Sequence, residues 1–362
     1  MTKTLLCAAI ATACCFLMSA AQGNRAARID ALFQQCGQPA APGASVLVVR
    51  GGKVLFKKSY GLADVEEHIR ATPSTNYRLA PVTKQFTAMG IMILADRGKL
   101  NLQQHLSEFF PDLPPYTRKV SLRQMLNHQS GLPDYEDAVP AGTAAVVTSP
   151  AQQLSDRDVL DFLKKKDNLL VEPGSQYRYS NTGCVVLGLI IGKVAGTTYP
   201  QFLKVNILDR LGMTDTVAHV EGIDKVRNRA YGYSRKGDGF VRTDQSPTSA
   251  TLGDGGVYSS VQDLMKWDQA LYGAKLVKRA TFQEAITPAP LAGGKPTSYG
   301  FGWEISRHGG SLQMAHGGTT LGFRTYIQRI PDKRFTVIVL TNRSDLNPTD
   351  LVRKITEFFV GE

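Results

Sequence analysis

Cysteine is scarce in this 362-residue chain: of five, Cys7, Cys14 and Cys15 stand near the start, leaving only Cys36 and Cys184 in the body. Two such cysteines make no disulfide framework, and buried free thiols are the expected state. Beyond the first 21 residues no apolar run reaches the ~20 residues a membrane-spanning helix needs. No segment repeats at a fixed period, which excludes a solenoid. The net charge of +11 suits contact with anionic surfaces, but the basic residues are scattered. Lys164-Lys165-Lys166 is the longest basic run, and no basic stripe or aromatic RNA-binding motif accompanies it, so nucleic-acid binding is not expected. Neither His105 nor His128 has a carboxylate or second histidine at ligand spacing, so no metal and no cofactor is expected.

What is present reads as a globular protein, 43% hydrophobic and 20% charged. Residues 1–21 form a signal peptide: Lys3 is the positive start, Leu5 to Met18 the apolar stretch, and Ser19-Ala20-Ala21 the cleavage site. A lipid anchor at Cys14 is the weaker reading, because Ala11 stands where the usual leucine is expected. The mature chain, residues 22–362, is therefore expected to be exported, periplasmic or secreted, with no membrane span.

Residues 25–36 read as a helix, and Ala44–Arg50 and Lys53–Tyr60 as strands joined at Gly51-Gly52. Phe86, Met89, Gly90, Ile93 and Leu94 form one face of a helix that stops at Gly98. Further helices are expected at 121–127, 157–165, 182–195, 199–210, 261–271, 278–285 and 348–360. Strands return at Tyr299–Ser306, Ser311–Ala315, Phe323–Ile330 and Arg334–Thr341, separated by turns. The stretch 136–150 reads as a surface loop. The expected architecture is α+β: one antiparallel sheet from both termini, flanked by helices, with an inserted helical lobe. The sheet lobe takes residues 22–80 and 255–362, and the helical lobe residues 81–254.

Three short motifs carry chemistry. Arg78-Leu79-Ala80-Pro81-Val82-Thr83-Lys84 opens the long apolar helix; Tyr179-Ser180-Asn181 precedes another; His316-Gly317-Gly318 ends a strand. Leu126-Asn127-His128-Gln129-Ser130-Gly131 and Gly255-Gly256-Val257-Tyr258 lie between them. In this order the motifs closely resemble the penicillin-recognising serine hydrolases, which include class C β-lactamases, D-Ala-D-Ala carboxypeptidases and related esterases. The resemblance runs over residues 30–360 and implies a β-lactamase/transpeptidase-like fold with a cleft between sheet and helical lobe. It implies acyl transfer by a serine set in S-x-x-K. By that resemblance Lys84 is the base, Tyr179 its partner in proton transfer, and Asn181 holds the substrate amide. His316 takes the place of the lysine of K-T-G, Gly317 and Gly318 line the substrate wall, and the Thr319 amide is an oxyanion donor.

The serine itself is missing. Pro81 stands three residues before Lys84, and proline has neither a nucleophilic side chain nor a backbone N–H. In the family that N–H is the second oxyanion donor, and loss of one such donor costs about 10²–10³ in rate. Loss of a serine nucleophile costs on the order of 10⁶ in a protease. At the start of a helix, however, proline leaves the fold intact, since the N–H there has no intrahelical partner. Thr83 and Ser180 are the nearby hydroxyls, and Thr83 points away from position 81. Ser130 belongs to a structural block.

Three functional readings follow. One is a cleft that binds small-molecule or peptide ligands, among them peptidoglycan-derived peptides, lactams or esters, without turnover. A second is an active esterase, D-peptidase or β-lactamase that uses another nucleophile or an activated water. The third is a serine hydrolase by descent whose chain carries an inactivating change, inactive or strongly impaired as written.

Overall fold

The computed structural model describes residues 23–139, 147 and 149–360. The leader expected at 1–21 and residues 140–146 and 148 of the 136–150 loop lie outside the described residues. The strands are β1 (Ala44–Arg50), β2 (Lys53–Tyr60), β3 (Leu62–Asp64), β4 (Ile69–Arg70), β5 (Tyr77–Arg78), β6 (Val217–Ala218) and β7 (Tyr233–Lys236). They continue with β8 (Gly239–Arg242), β9 (Val257–Ser259), β10 (Glu304–His308), β11 (Ser311–Thr320), β12 (Phe323–Ile330) and β13 (Phe335–Thr341).

Six strands form one antiparallel sheet in the order β10-β11-β12-β13-β1-β2. The two ends of the chain meet where β1 pairs with β13, from Ala44 opposite Thr341 to Arg50 opposite Phe335. Both strands are rich in valine and other apolar residues, buried from Ala44 to Val49 and from Phe335 to Thr341, as befits central strands covered on both faces. Gly51 and Gly52 both take positive φ, 58° and 78°, which a two-residue hairpin turn requires. The edge strand β2 carries Lys53, Lys57 and Lys58, charges that discourage pairing with another chain.

Helices cover both faces. On one side, Ile29 and Phe33 from the N-terminal segment pack with Leu351, Val352 and Ile355 of the helix Pro348–Val360. On the other lies the helix Val261–Ala270, pinned by Asp268, which takes Arg329 Nε at 2.5 Å and Thr336 Oγ1 at 2.7 Å. The larger core continues from there into the helices Lys84–Asp96 and Asn181–Ala195, where Phe86 stacks on Trp267. Cys36 and Cys184 are both buried and free.

The structure corrects several boundaries. The helix expected over 25–36 spans 23–32 and is followed by a separate 3₁₀ turn, Gln34–Cys36. The helix expected over 199–210 is broken into Tyr199–Leu203, a wider π turn Lys204–Leu208, and Asp209–Leu211. Residues 81–254 are not helical throughout: from Gly212 to Gly256 there is no helix, and β6, β7 and β8 lie there instead. The strand expected from Tyr299 begins at Glu304, because Gly302 at φ 75° turns the chain before it. Finally, β11 does not stop at Ala315 but runs on to Thr320, so the third motif lies inside a strand.

Candidate functional site

The chain reaches the cleft through a strained elbow. β5 pairs with β9, Leu79 N–H donates to the Val257 carbonyl at 2.8 Å, and Ala80 turns into the left-handed region at φ 53°. A non-glycine residue held there is costly and needs support from its surroundings. Two supports are present: Thr325 Oγ1 donates to the Leu79 carbonyl at 2.8 Å, and β11 closes in at Gly318. Any Cβ at Gly318 would overlap the Leu79 carbonyl oxygen and Thr325 Oγ1. Pro81 follows at the start of the 3₁₀ turn Ala80–Thr83, which feeds directly into the helix Lys84–Asp96. The proline sits where a missing N–H forfeits no helical bond, and its carbonyl accepts the Lys84 N–H.

Around this elbow a cleft of about 290 Å³ brings together Pro81 of the first motif, Tyr179 and Asn181 of the second, and Thr319, the residue that follows the third. Lys84 lies at its base, 2% exposed, and donates to Asn181 Oδ1 at 2.8 Å and the Asp254 carbonyl at 3.2 Å. Its amine stands 4.9 Å from the centre of the Tyr179 ring. Burial disfavours the Lys84 charge, but Tyr179, Cys184 and Asp254 more than offset it and hold the amine above its ordinary value. Burial pushes the Tyr179 phenol up to about 12, against the pull of Lys84. Both shifts favour the protonated forms of Lys84 and Tyr179.

His316, like Lys84, is buried behind the residues that line the cleft. It is 2% exposed and absent from the lining of the cleft. Its Nδ1 lies 2.7 Å from the Gly317 carbonyl, which can only accept, so Nδ1 carries the proton. Nε2 then accepts from the Tyr299 hydroxyl at 2.8 Å. Burial, aided by the Lys84 charge, pushes the imidazole down to about 4, so it is neutral. Tyr299 also packs at a tilt against His128, 4.6 Å between centres, and His128 lies 4.3 Å from the Tyr179 ring. Tyr299 and His128 thus connect His316 to Tyr179, a link that no sequence motif marked.

The candidate substitute nucleophiles are engaged elsewhere. Thr83 is fully buried and its Oγ1 accepts the Val257 N–H at 3.2 Å. Ser180 Oγ caps the helix Asn181–Ala195 by accepting the Gly183 N–H at 3.1 Å. The Cys184 thiol is pushed up to about 12 by burial. Gly318 packs closely against Leu79 and Gly317 borders the Tyr326 ring, and both line a separate cavity of about 320 Å³ together with Thr319.

Two acidic cleft residues had no sequence signal. Glu136 and Asp254 line the cleft with Pro81. Both are isolated acids outside any spacing pattern; only their neighbours in three dimensions reveal them. A larger cavity of about 830 Å³ lies beside the helix Asn181–Ala195 and residues 213–227 and holds none of the motif residues. The smaller cleft is the one that joins residues of the first two motifs to Thr319.

Comparison with known proteins agrees with this geometry. The family model Beta-lactamase matches residues 29–362. Penicillin-binding protein 4* of Bacillus subtilis (strain 168) is 30% identical over 336 residues, covering 89% of this chain and 73% of that one. An octameric penicillin-binding protein homologue from Pyrococcus abyssi superposes with a TM-score of 0.80 at 29% identity, over 94% of this chain and 77% of that one. The D-amino acid amidase from Ochrobactrum anthropi SV3 in complex with L-phenylalanine amide gives a TM-score of 0.78 at 25% identity, over 93% and 98%.

Proposed function

We propose, from the premise that this chain belongs to the Beta-lactamase family, that it is a ligand-binding member in which acyl transfer is lost. The observation that carries this reading is Pro81 at the head of the cleft, one helical turn before Lys84. The nucleophile oxygen and one oxyanion N–H are removed together, while Lys84, Tyr179 and Asn181 remain assembled around the vacated position. No nearby hydroxyl or thiol takes over, since Thr83, Ser180 and Cys184 are engaged or buried.

The ligand class we infer is an acyl compound of the kind that family members attack: a peptide amide, a lactam or an ester. The amidase similarity, with phenylalanine amide as its bound compound, supports the amide among these. Residues 1–21 have the composition of a secretory signal, which supports export and contact with peptidoglycan-derived peptides.

The test is mass spectrometry of the purified chain after incubation with penicillin-type and fluorophosphonate probes. No covalent adduct is expected. A stoichiometric adduct mapping to Thr83 or Ser180 would overturn the reading and establish an active hydrolase with an unexpected nucleophile.

A further inference from the structure

The cavity of about 830 Å³ shares a wall with the cleft: Leu252 lines the cavity, whereas Thr251, Asp254 and Gly255 line the cleft. Successive peptide groups of that wall are pinned. The Leu252 N–H donates to Asp156 Oδ1 at 2.8 Å, the Gly253 carbonyl accepts from Thr87 Oγ1 at 2.6 Å, and the Asp254 carbonyl accepts from Lys84. Thr87 spends its one proton on Gly253, so the Tyr199 hydroxyl donates to it at 2.6 Å, and Tyr199 lines the cavity with its polar tip satisfied. A Cβ at Gly188 would lie 3.3 Å from Gly253 Cα, so helix and wall meet closely there. The cavity is therefore built into the fold, and its volume falls within the ~300–1,000 Å³ of sites for drug-sized organic molecules.

Its surface is mainly apolar. Leu189, Val217, Val220 and Leu252 are half-buried along it, and Ile223, 81% exposed, stands at its edge. Most of the charges in the lining are already met. Lys204 pairs with Asp209 at 2.7 Å, Arg227 stands 4.0 Å from Asp215, Asp224 bonds His219 Nδ1 at 2.6 Å, and Lys193 donates to the Phe109 carbonyl. Lys225 is unpaired among the described residues but exposed, where water satisfies it.

Asp156 is the exception. Its one hydrogen-bond partner among the described residues is the Leu252 N–H, and no cation pairs with it. It opens the helix Asp156–Lys164, yet that helix is capped by Ser155 and Asp158, which bond each other's N–H groups. Burial pushes the Asp156 carboxyl up to about 7, opposed only by the Leu252 N–H and reinforced by Asp254. A carboxylate in apolar surroundings without a counter-charge is unfavourable. Among the described residues no three His, Cys, Asp or Glu side chains converge so as to hold a metal ion, and a lone carboxylate on an apolar wall suits an organic cation instead.

We propose that this cavity is a second ligand site, for an apolar organic ammonium whose hydrocarbon body rests on Leu189, Val217, Val220 and Leu252 and whose charged head pairs with Asp156. An ammonium brings three donors and the missing positive charge, and such charge-assisted bonds are stronger than neutral ones. A neutral ligand leaves the acid unmet, and an anion is repelled by it. The site stands whether or not the cleft binds acyl compounds.

Calorimetry on the purified chain at pH 7.5 tests this with 4-phenylbutylamine, and with 4-phenylbutanol and 4-phenylbutanoate as its neutral and anionic counterparts. The amine should bind about tenfold tighter than the alcohol, and the carboxylate should bind least. Asp156→Asn keeps an acceptor for the Leu252 N–H; it should erase the advantage of the amine and leave the affinity for the alcohol unchanged. Leu189→Trp fills the cavity with Asp156 in place and should abolish binding of both compounds. Equal binding of amine and alcohol, an advantage that survives Asp156→Asn, or no binding of the amine at all would each overturn the proposal. So would unchanged amine binding by a folded Leu189→Trp chain, since the compound would then sit elsewhere. If the tryptophan variant does not fold, the Asp156→Asn comparison decides alone.

Discussion

Lys84 Nζ donates to Asn181 Oδ1 at 2.8 Å, tying the lysine of the first motif to the asparagine of the second. The two residues stand on different helices, Lys84–Asp96 and Asn181–Ala195, whose N-terminal ends this bond joins beneath the cleft. The resemblance to serine hydrolases implies a lysine whose basicity is lowered for proton abstraction. Here the amine is instead held above its ordinary value, with its charge satisfied by amide and carbonyl oxygens. Without a serine to deprotonate, the lysine is an organising cation of the cleft.

Removing the Asn181 carbonyl should therefore be felt in stability. Asn181→Ala leaves a buried ammonium with the Asp254 carbonyl as its remaining amide-type acceptor, at 3.2 Å. Hydrogen bonds to buried charged groups are worth about 1.5–3 kcal/mol, so urea denaturation should show a loss of that size with an unchanged slope. A loss under about 0.5 kcal/mol would mean that water replaces the bond and that the Lys84–Asn181 link has no structural weight.

The glycines of the third motif should separate cleanly. Gly318→Ala drives a methyl into the Leu79 carbonyl and Thr325 Oγ1, two atoms that fix the elbow before Pro81. Overpacking costs about 1–3 kcal/mol and occasionally more, and against backbone, which cannot swing aside, the upper end is expected. At Gly317 the nearest atom to a new Cβ would be a Tyr326 ring carbon 3.3 Å away, which can shift by a few tenths of an ångström. Thermal unfolding should therefore show a large fall for Gly318→Ala and a small one for Gly317→Ala. Equal effects would contradict the packing role given to Gly318.

Sheet and elbow differ in how far the amino-acid order alone could show them. β1 and β13 were legible because each is a short run rich in valine and other apolar residues, and Gly51-Gly52 punctuates the first hairpin. The end of β11 was misplaced because His316-Gly317-Gly318 has the look of a turn. Its glycines are inside the strand for a tertiary reason, the close approach of Leu79. β6, at two residues, is too short to show any alternation. In the cleft, Lys84, Tyr179 and Asn181 were visible through motif spacing. Tyr299, Glu136 and Asp254 were not, because single residues brought together by packing leave no periodic trace.

His316 should make stability depend on pH in a defined window. Its folded-state value of about 4 lies below the unfolded 6.5, so the fold accepts only the neutral ring. The stabilisation is fully present above pH 6.5 and is lost as pH falls toward 4, by an amount on the order of 3 kcal/mol. Glu136 and Asp156, both pushed up to about 7, act with the opposite sign as they gain protons more readily in the fold. The His316 contribution is therefore read as a difference. His316→Gln should lose less stability than the parent between pH 6.5 and 4, and parallel curves would show that the ring is not held neutral.

Pro81→Ser should restore hydrolysis, most readily of a nitrophenyl acyl ester. Position 81 begins the turn Ala80–Thr83, and its carbonyl accepts the Lys84 N–H, so serine fits the same backbone with Lys84 one turn further along. The substitution returns two things at once: an attacking hydroxyl, and an N–H that completes an oxyanion hole with the amide of Thr319 at the cleft wall. Even a poorly tuned site should then exceed the parent by about 10³, the magnitude associated with a single donor. Pro81→Ala returns the N–H without the oxygen and should stay at the parent's level, which separates attack from charge stabilisation. The pH profile carries further information. Because Tyr179, Cys184 and Asp254 hold the Lys84 amine above its ordinary value, the base is protonated at neutrality, and activity of the serine variant should climb through the alkaline range without a plateau near pH 7. If the folded serine variant is as inert as the parent toward ester, lactam and D-amino-acid peptide substrates, the missing oxygen is not the sole defect. Lys84, Tyr179 and Asn181 would then stand in the cleft for ligand binding alone.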